Sequence, residues 1–192
     1  MNKVKILIEG YAEINPDDTW NATSTTTLID TGKLKIIVDP GCNRPLLSGA
    51  LKKEKLKTLD IAYVFISHYH PDHCTLMGIF ENATIFDSMQ WQNGPVGGDL
   101  KGKFLPDTDI EIIKTPGHSS EHASLLVNTK DGKIIVGADV FWWKEGEEQT
   151  VDVEKHDDFS TDQKLLTESR KKILEIADFI IPGHGMMFKV NK

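Results

Sequence analysis

Short apolar bursts separated by turn residues dominate the hydrophobic pattern of this chain. Residues 4–8, 24–29, 35–39, 61–66, 83–86, 110–114, 123–127, 133–137 and 179–181 have the length and the β-branched or aromatic content of strands. Turn chemistry punctuates them at Asn15-Pro16-Asp17-Asp18, at Asp30-Thr31-Gly32-Lys33 (a hairpin turn), at Pro40-Gly41 and at Lys130-Asp131-Gly132. Helical spacing shows in three places. Leu46, Leu47, Ala50, Leu51 and Leu56 draw a narrow apolar stripe over 46–59, with lysines on the solvated face. Residues 75–80 form a short helix. A long helix follows 157–161, where Ser160 and Gln163 fit a capping box and Leu166, Ile173 and Ala177 share one face. Residues 87–103 show no periodicity and read as a long loop, of the kind that is commonly functional. Trp91 in that loop either walls a cleft or pins the loop to the body.

Both halves of the chain supply strands followed by helix. The pattern predicts an α/β fold in which two mixed sheets pack face to face with helices outside, a four-layer αββα sandwich forming one domain over 1–192.

Composition narrows the setting. Hydrophobic residues make up 39% and charged residues 27% of 192 positions, an ordinary globular mix with enough apolar material for a sizeable core. No apolar run approaches a membrane span, and the N-terminal apolar segment is too short for a signal peptide. Two isolated cysteines, Cys42 and Cys74, give no disulfide framework, so a cytoplasmic setting is expected. The net charge of −7 argues against long nucleic-acid partners. It argues less against a short phosphodiester, because two divalent cations would offset about four charges locally.

The chemistry concentrates in Ser67-His68-Tyr69-His70-Pro71-Asp72-His73. Three imidazoles and a carboxylate crowd the exit of the 61–66 strand, where active sites of layered α/β folds collect. Pro71 stops the strand, and a sharply turned loop lets the four side chains face one point. Three further residues sit at strand ends with glycine one or two positions before them: His118 in Pro116-Gly117-His118, Asp139 in Gly137-Ala138-Asp139 and His184 in Pro182-Gly183-His184. Glycine there lets the backbone approach a crowded centre. Seven candidate ligands are too many for one tetrahedral ion. They split into His68, His70 and His118 around one metal and Asp72, His73 and His184 around another. Asp139 is placed to bridge two ions about 3.5–4 Å apart.

His68-x-His70-x-Asp72-His73, with His118, Asp139 and His184 downstream, resembles the ligand set of the metallo-β-lactamase superfamily in its binuclear hydrolase form. The resemblance covers nearly the whole chain and implies the αββα sandwich and the same division of ligands. Oxygen-reducing diiron relatives generally carry an acidic residue where this chain has His70, so the resemblance implies hydrolysis rather than redox chemistry. Asp139-Val140-Phe141, the acidic 145–148 segment, Ser169-Arg170-Lys171, Ala177-Asp178 and the Pro182-Gly-His-Gly turn are similar to the metallo-β-lactamase domain-containing protein 1 branch, which is associated with RNA cleavage.

The expected activity is hydrolysis of a small ester, thioester, lactone or amide by a hydroxide shared between two divalent metals, whose bound water is acidified from about 15.7 toward 7. Zinc is the first candidate, and iron or manganese also suit five histidines and two carboxylates. Asp72 and Asp139 are expected to act in catalysis, Asp72 by orienting the hydroxide and Asp139 by fixing the metal spacing. The alternative is a phosphodiesterase or RNA nuclease acting on short RNA, with a β-lactamase or a non-catalytic metal-binding domain behind it. A small-molecule substrate and no membrane partner are expected. The other ring nitrogens of the histidines need partners, for which Ser67, Ser119 or nearby carbonyls are the candidates. His122 is either an acid lining the pocket or a satisfied core histidine. Cys74 is either close to metal or a small buried filler. His156 is exposed, Tyr69 faces away from the histidines, and of Trp142 and Trp143 one walls the cleft while the other packs in the core.

Overall fold

The computed structural model describes residues 1–17 and 19–191. One sheet has the order β1-β4-β5-β6-β7-β8-β9, from Lys3–Ile8, Thr26–Asp30, Lys35–Val38, Tyr63–Phe65, Thr84–Phe86, Gln90–Asn93 and Val96–Asp99. The second has the order β10-β11-β12-β13-β14, from Glu111–Lys114, Ala123–Thr129, Gly132–Trp142, Phe179–His184 and Phe188–Lys189. A separate hairpin pairs β2 (Tyr11–Ile14) with β3 (Trp20–Thr23). The helices are α1 (Arg44–Lys53), the single turn α2 (Pro71–Cys74) and α3 (Gln163–Ile176).

Strand alternation explains the layers. Side chains along a strand point to opposite faces, so a run that is apolar at every position feeds two cores. Ile36 and Val38 of β5 pack in the central core with Phe65, Phe86, Leu125, Val127, Val136 and Ile181, which is the space between the sheets. Ile37, between them, joins Val64, Leu47 and Leu51 in the core under α1. Across the sandwich, Ile135 and Ile180 meet Leu166, Ile173 and Ala177 of α3. The mixed-sheet αββα sandwich is therefore the observed architecture, with β5-β6-β7 parallel in one sheet and β12-β13 parallel in the other.

Several element boundaries differ from expectation. The first long helix ends at Lys53 rather than 59, because Lys55 takes a left-handed φ of 58° and a separate 3-10 turn covers Thr58–Asp60. The 75–80 segment is a 3-10 turn, Met77–Ile79. Residues 87–103 are no irregular loop: they hold the β8–β9 hairpin, turned at Gly94 with φ 53°. Trp91 there packs on the central core and lies against Gly98, so it pins the hairpin. The cap of α3 is Asp162, whose carboxylate accepts from the Leu165 N–H at 3.0 Å, while Gln163 accepts from the Asp157 N–H. The 15–18 turn joins β2 to β3, and its Asp18 lies outside the described residues.

Candidate metal centre

All seven candidate ligands converge at one end of the sandwich. The ligand-capable atoms of His68, His70, His118 and Asp139 lie within 4.8 Å of one another, and so do those of Asp72, His73 and His184. Asp139 sits between the groups, its Oδ1 3.1 Å from His73 Nε2 and its Oδ2 3.2 Å from His118 Nε2. His184 Nε2 lies 3.2 Å from Asp72 Oδ2, and His118 Nε2 lies 3.0 Å from His70 Nδ1.

Local backbone chemistry brings each residue there. The 67–73 stretch is partly helical rather than a pure loop: His70 caps α2 and Pro71 takes its first position, where a missing N–H costs nothing. That single turn carries Asp72 and His73, and their carbonyls accept from the Ser24 and Gly41 N–H groups. Asp139 lies inside β12 rather than after a strand. The register of β12 against β13 shifts on both sides of Ala138, which has φ 45°, and such an irregularity re-aims the next side chain. A Cβ added at Gly183 would overlap Asp139 Oδ1, so only glycine lets β13 pass this carboxylate. His118 follows Gly117 (φ 134°), where a Cβ would overlap the backbone of Leu166 in α3.

The second ring nitrogens fix the imidazoles. Ser67 Oγ donates to Asp39 Oδ2 at 2.6 Å, so it accepts from His68 Nδ1 at 2.9 Å. His73 Nδ1 donates to Asp39 Oδ2 (2.9 Å), His118 Nδ1 to Asp157 Oδ2 (2.7 Å) and His184 Nδ1 to the Tyr11 carbonyl (3.0 Å). Four rings thus hold their proton at Nδ1 and turn Nε2 toward the cluster, the arrangement in which a neutral imidazole can ligate. Among the described residues, His68 Nε2, His73 Nε2 and Asp139 Oδ1 are buried without a hydrogen-bond partner. The 3.1 Å approach of His73 to Asp139 is an ion-pair contact without the angle of a hydrogen bond. Unpartnered buried polar atoms are costly, and these three, shared between the two ligand groups, fit cations bound in the cluster.

In the metal-free cluster the carboxylates and imidazoles shift one another, and a bound cation would displace the protons that His73 and His118 favour. Burial raises the Asp139 carboxyl, but His73, His184 and His118 outweigh it and hold its pKa well below the usual range. Burial likewise opposes ionisation of Asp72, and His184 and His73 overcome it. Burial works against the charged form of His73, yet Asp139 and Asp39 raise its pKa well above the ordinary value. His118 is raised in the same way by Asp139 and Asp157 against its own burial. His68 and His70 are lowered, chiefly by burial and then by neighbouring imidazoles.

The remaining candidates fall outside the cluster. His122 is fully enclosed, donating through Nδ1 to Thr115 Oγ1; the Thr115 hydroxyl in turn donates to Ser124 Oγ, and Ser124 to the Gly137 carbonyl. Burial and the nearby His118 push its pKa down to about 3, so it stays neutral and does not line the cavity. Cys74 lies near the Tyr69 carbonyl and belongs to neither ligand group. Ser119, offered as an imidazole partner, has no partner for its own hydroxyl among the described residues. Tyr69 turns away and donates to Asp87; His156 is exposed. Trp142 lines the cavity, and Trp143 packs in the α3 core.

Sequence reasoning missed Asp39, Asp157 and Arg170. Asp39 had a partial signal, since it stands at a strand end beside glycine, although Pro40-Gly41 follows it rather than precedes it. Asp157 had none. Buried Arg170 donates to the carbonyls of Val140, Val153 and Lys155, tying α3 to the strand that bears Asp139 and to the segment that leads to Asp157.

Known proteins share this sequence pattern and fold. A profile of the metallo-beta-lactamase superfamily matches residues 21–89. The Xenopus laevis metallo-beta-lactamase domain-containing protein 1 is 34% identical over 200 residues, covering 100% of this chain and 83% of that protein. The human protein of that name is 29% identical, and there the chain spans 59% of the relative's length. Among solved structures, a Thermotoga maritima protein assigned to the metallo-beta-lactamases superimposes with a TM-score of 0.76 at 22% identity, over 98% of this chain and 99% of that one. AidC, a dizinc quorum-quenching lactonase, does so at 0.63 and 19% identity, over 87% and 74%. Structural likeness at these identities speaks for the fold, and the frog relative speaks for the family. With both in hand, together with a His/Asp cluster able to hold metal, the chain belongs to the metallo-β-lactamase superfamily as a metal-dependent hydrolase.

Proposed function

We propose that His68, His70 and His118 hold one divalent ion, that Asp72, His73 and His184 hold a second, and that Asp139 joins them. The observation that carries this is the position of Asp139, with one carboxylate oxygen near each ligand group. Zinc is the first candidate, with iron and manganese compatible with the same donors. Ions bound there would acidify a water and polarise the oxygen of the scissile group.

The chain's own residues do the rest. Asp39, Ser67, Asp157 and the Tyr11 carbonyl hold protons at the Nδ1 atoms, which keeps the Nε2 lone pairs available. Asp139, ionised through its imidazole neighbours, fixes the separation of the two groups. Asp72 lines the cavity with its side chain 20% exposed, so its carboxylate is the acceptor that orients an attacking water. The substrate class we favour is a small ester, thioester, lactone or amide, and 30% identity over 146 residues to an N-acyl homoserine lactonase of Bacillus cereus supports it. Cleavage of a short phosphodiester is the second reading, supported by the resemblance to the domain-containing protein 1 branch.

Zinc-loaded protein assayed against a lactone, S-lactoylglutathione, nitrocefin, bis-p-nitrophenyl phosphate and short RNA tests the order. Carboxyl-derivative hydrolysis lost on chelation and in Asp139→Ala is expected. Turnover of phosphodiesters alone would reverse the order, and no turnover with two metals bound would reject the reading.

A further inference from the structure

The cavity beside the ligand groups has a volume of about 310 Å³ and is chemically lopsided. One side is the cluster itself. The other is Ala12 and Ile14 of β2, Trp20 and Ala22 of β3, Trp142 and Phe159. Among the described lining residues there is no lysine or arginine.

Two pairs of large apolar side chains face this space. Ile14 and Trp20 are register partners across the β2–β3 hairpin, and both stay exposed, Trp20 at 68%. Exposed apolar residues gathered at a cavity mouth mark a binding surface. The Trp142 ring meets Phe159 at 5.7 Å and His184 at 6.2 Å between centroids, which fixes its orientation. The Lys155 ammonium packs on Trp142 at 5.5 Å, but its charge is engaged by Glu147 at 2.6 Å and by the Trp142 carbonyl at 3.0 Å. That cation is therefore not offered to a ligand. A phosphodiester or a glutathione carboxylate would find no arginine or lysine on these walls to pair with.

Size points the same way. At about 30 Å³ for each water-sized group, the cavity holds roughly ten heavy atoms. It lies at the lower end of the range of about 300–1,000 Å³ for small-molecule sites.

We propose that the site takes a small, uncharged carboxyl derivative with an apolar arm of up to about eight carbons, clamped between Ile14–Trp20 and Trp142–Phe159, and that Trp20 sets the preference. The proposal rests on the hydrolase reading above and names its substrate class. The reaction balances as plain hydrolysis. The acyl carbon gains the hydroxyl of water, its bond to the leaving oxygen or sulfur breaks, and that atom takes the remaining proton.

Two ester series on the zinc-loaded full chain test this: p-nitrophenyl esters lengthened on the acyl side from acetate to octanoate, and acetate esters lengthened on the alcohol side. In whichever series the arm enters the cavity, kcat/KM rises about fourfold per methylene until the space is filled. Trp20→Ala cuts the hexyl-to-ethyl preference at least tenfold, and Phe159→Ser provides a second, independent loss. Hexanamide titrated against tryptophan fluorescence, before and after chelation, gives a readout independent of turnover, with binding weakened at least fivefold in Trp20→Ala. Flat series on both sides, an unchanged preference in both variants, or faster turnover of bis-p-nitrophenyl phosphate or short RNA would overturn the proposal while leaving the hydrolase reading standing. No turnover of any ester, nor of the lactone, thioester, β-lactam, phosphodiester and RNA panel above, with two metals bound would sink both.

Discussion

Replacing Asp157 by Asn isolates the role of a residue that holds a proposed ligand, His118, without being one itself. Asp157 Oδ2 accepts from His118 Nδ1 at 2.7 Å, its Oδ1 accepts from the Phe159 N–H at 2.9 Å, and both Asp157 and His118 are buried. Asparagine keeps the shape and can satisfy only one of these donors. If its oxygen stays on Phe159, its amide nitrogen faces the His118 Nδ1–H, donor against donor. The ring then moves its proton to Nε2, which blocks ligation, or turns away. If the amide flips, the Phe159 N–H loses its acceptor. A charge-assisted hydrogen bond of this kind is worth about 1.5–3 kcal/mol. Removing such a partner from a metal-ligating histidine typically weakens metal affinity about 10–100-fold, or about 1.4–2.8 kcal/mol. The two magnitudes agree, so the loss should appear almost entirely in metal affinity. Competition with a chromophoric zinc chelator measures it, with His156→Asn as the exposed control and circular dichroism confirming the fold. The expected result is one of two metals bound about 10–100-fold more weakly. Unchanged affinity for both would refute the claim that Asp157 holds His118 for ligation.

Other perturbations act through packing and protonation. Gly183→Ala places a methyl on Asp139 Oδ1, so metal content by mass spectrometry should fall, whereas Gly49→Ala, with nothing within 4 Å of the new methyl, should leave it intact. Leu166→Ala empties a fully buried position in α3 against Gly117 and should cost about 2–5 kcal/mol in urea unfolding; less than about 1 kcal/mol would contradict the packing described. In chelator-treated protein, His122 has a folded pKa of about 3 against about 6.5 unfolded. Below pH 6.5 the unfolded chain therefore binds a proton that the folded chain refuses, and stability falls with pH. His122 contributes about 2 kcal/mol of that fall by pH 5, and urea melts of His122→Gln should show that part of the slope gone.

The convergence of the seven candidate side chains was legible because their spacing is dense and repeats one local context, a strand end beside glycine. The layers were legible because strands such as 35–39 are apolar on both faces, and that requires material above and below. The β2–β3 hairpin was invisible for the opposite reason: Trp20-Asn21-Ala22-Thr23 and its partner bury little, so no alternation marks them. This hairpin carries a third of the cavity lining, Ala12, Ile14, Trp20 and Ala22. The β8–β9 hairpin was hidden in the same way, since Val96-Gly97-Gly98-Asp99 is exposed throughout. Ser160 lost the α3 cap to Asp162 because local signals two residues apart compete, and the position of the first helical turn against Gly117 decides between them. Asp39 and Asp157 lie 34 and 39 residues from the histidines they hold, a relation set by tertiary structure alone.

Anomalous diffraction from crystals grown with zinc, collected above and below the zinc edge, tests the central claim most directly. The geometry predicts two peaks about 3.5–4 Å apart, one among His68, His70 and His118, the other among Asp72, His73 and His184, with Asp139 reaching both. A single peak, or peaks away from these side chains in zinc-saturated crystals, would contradict it.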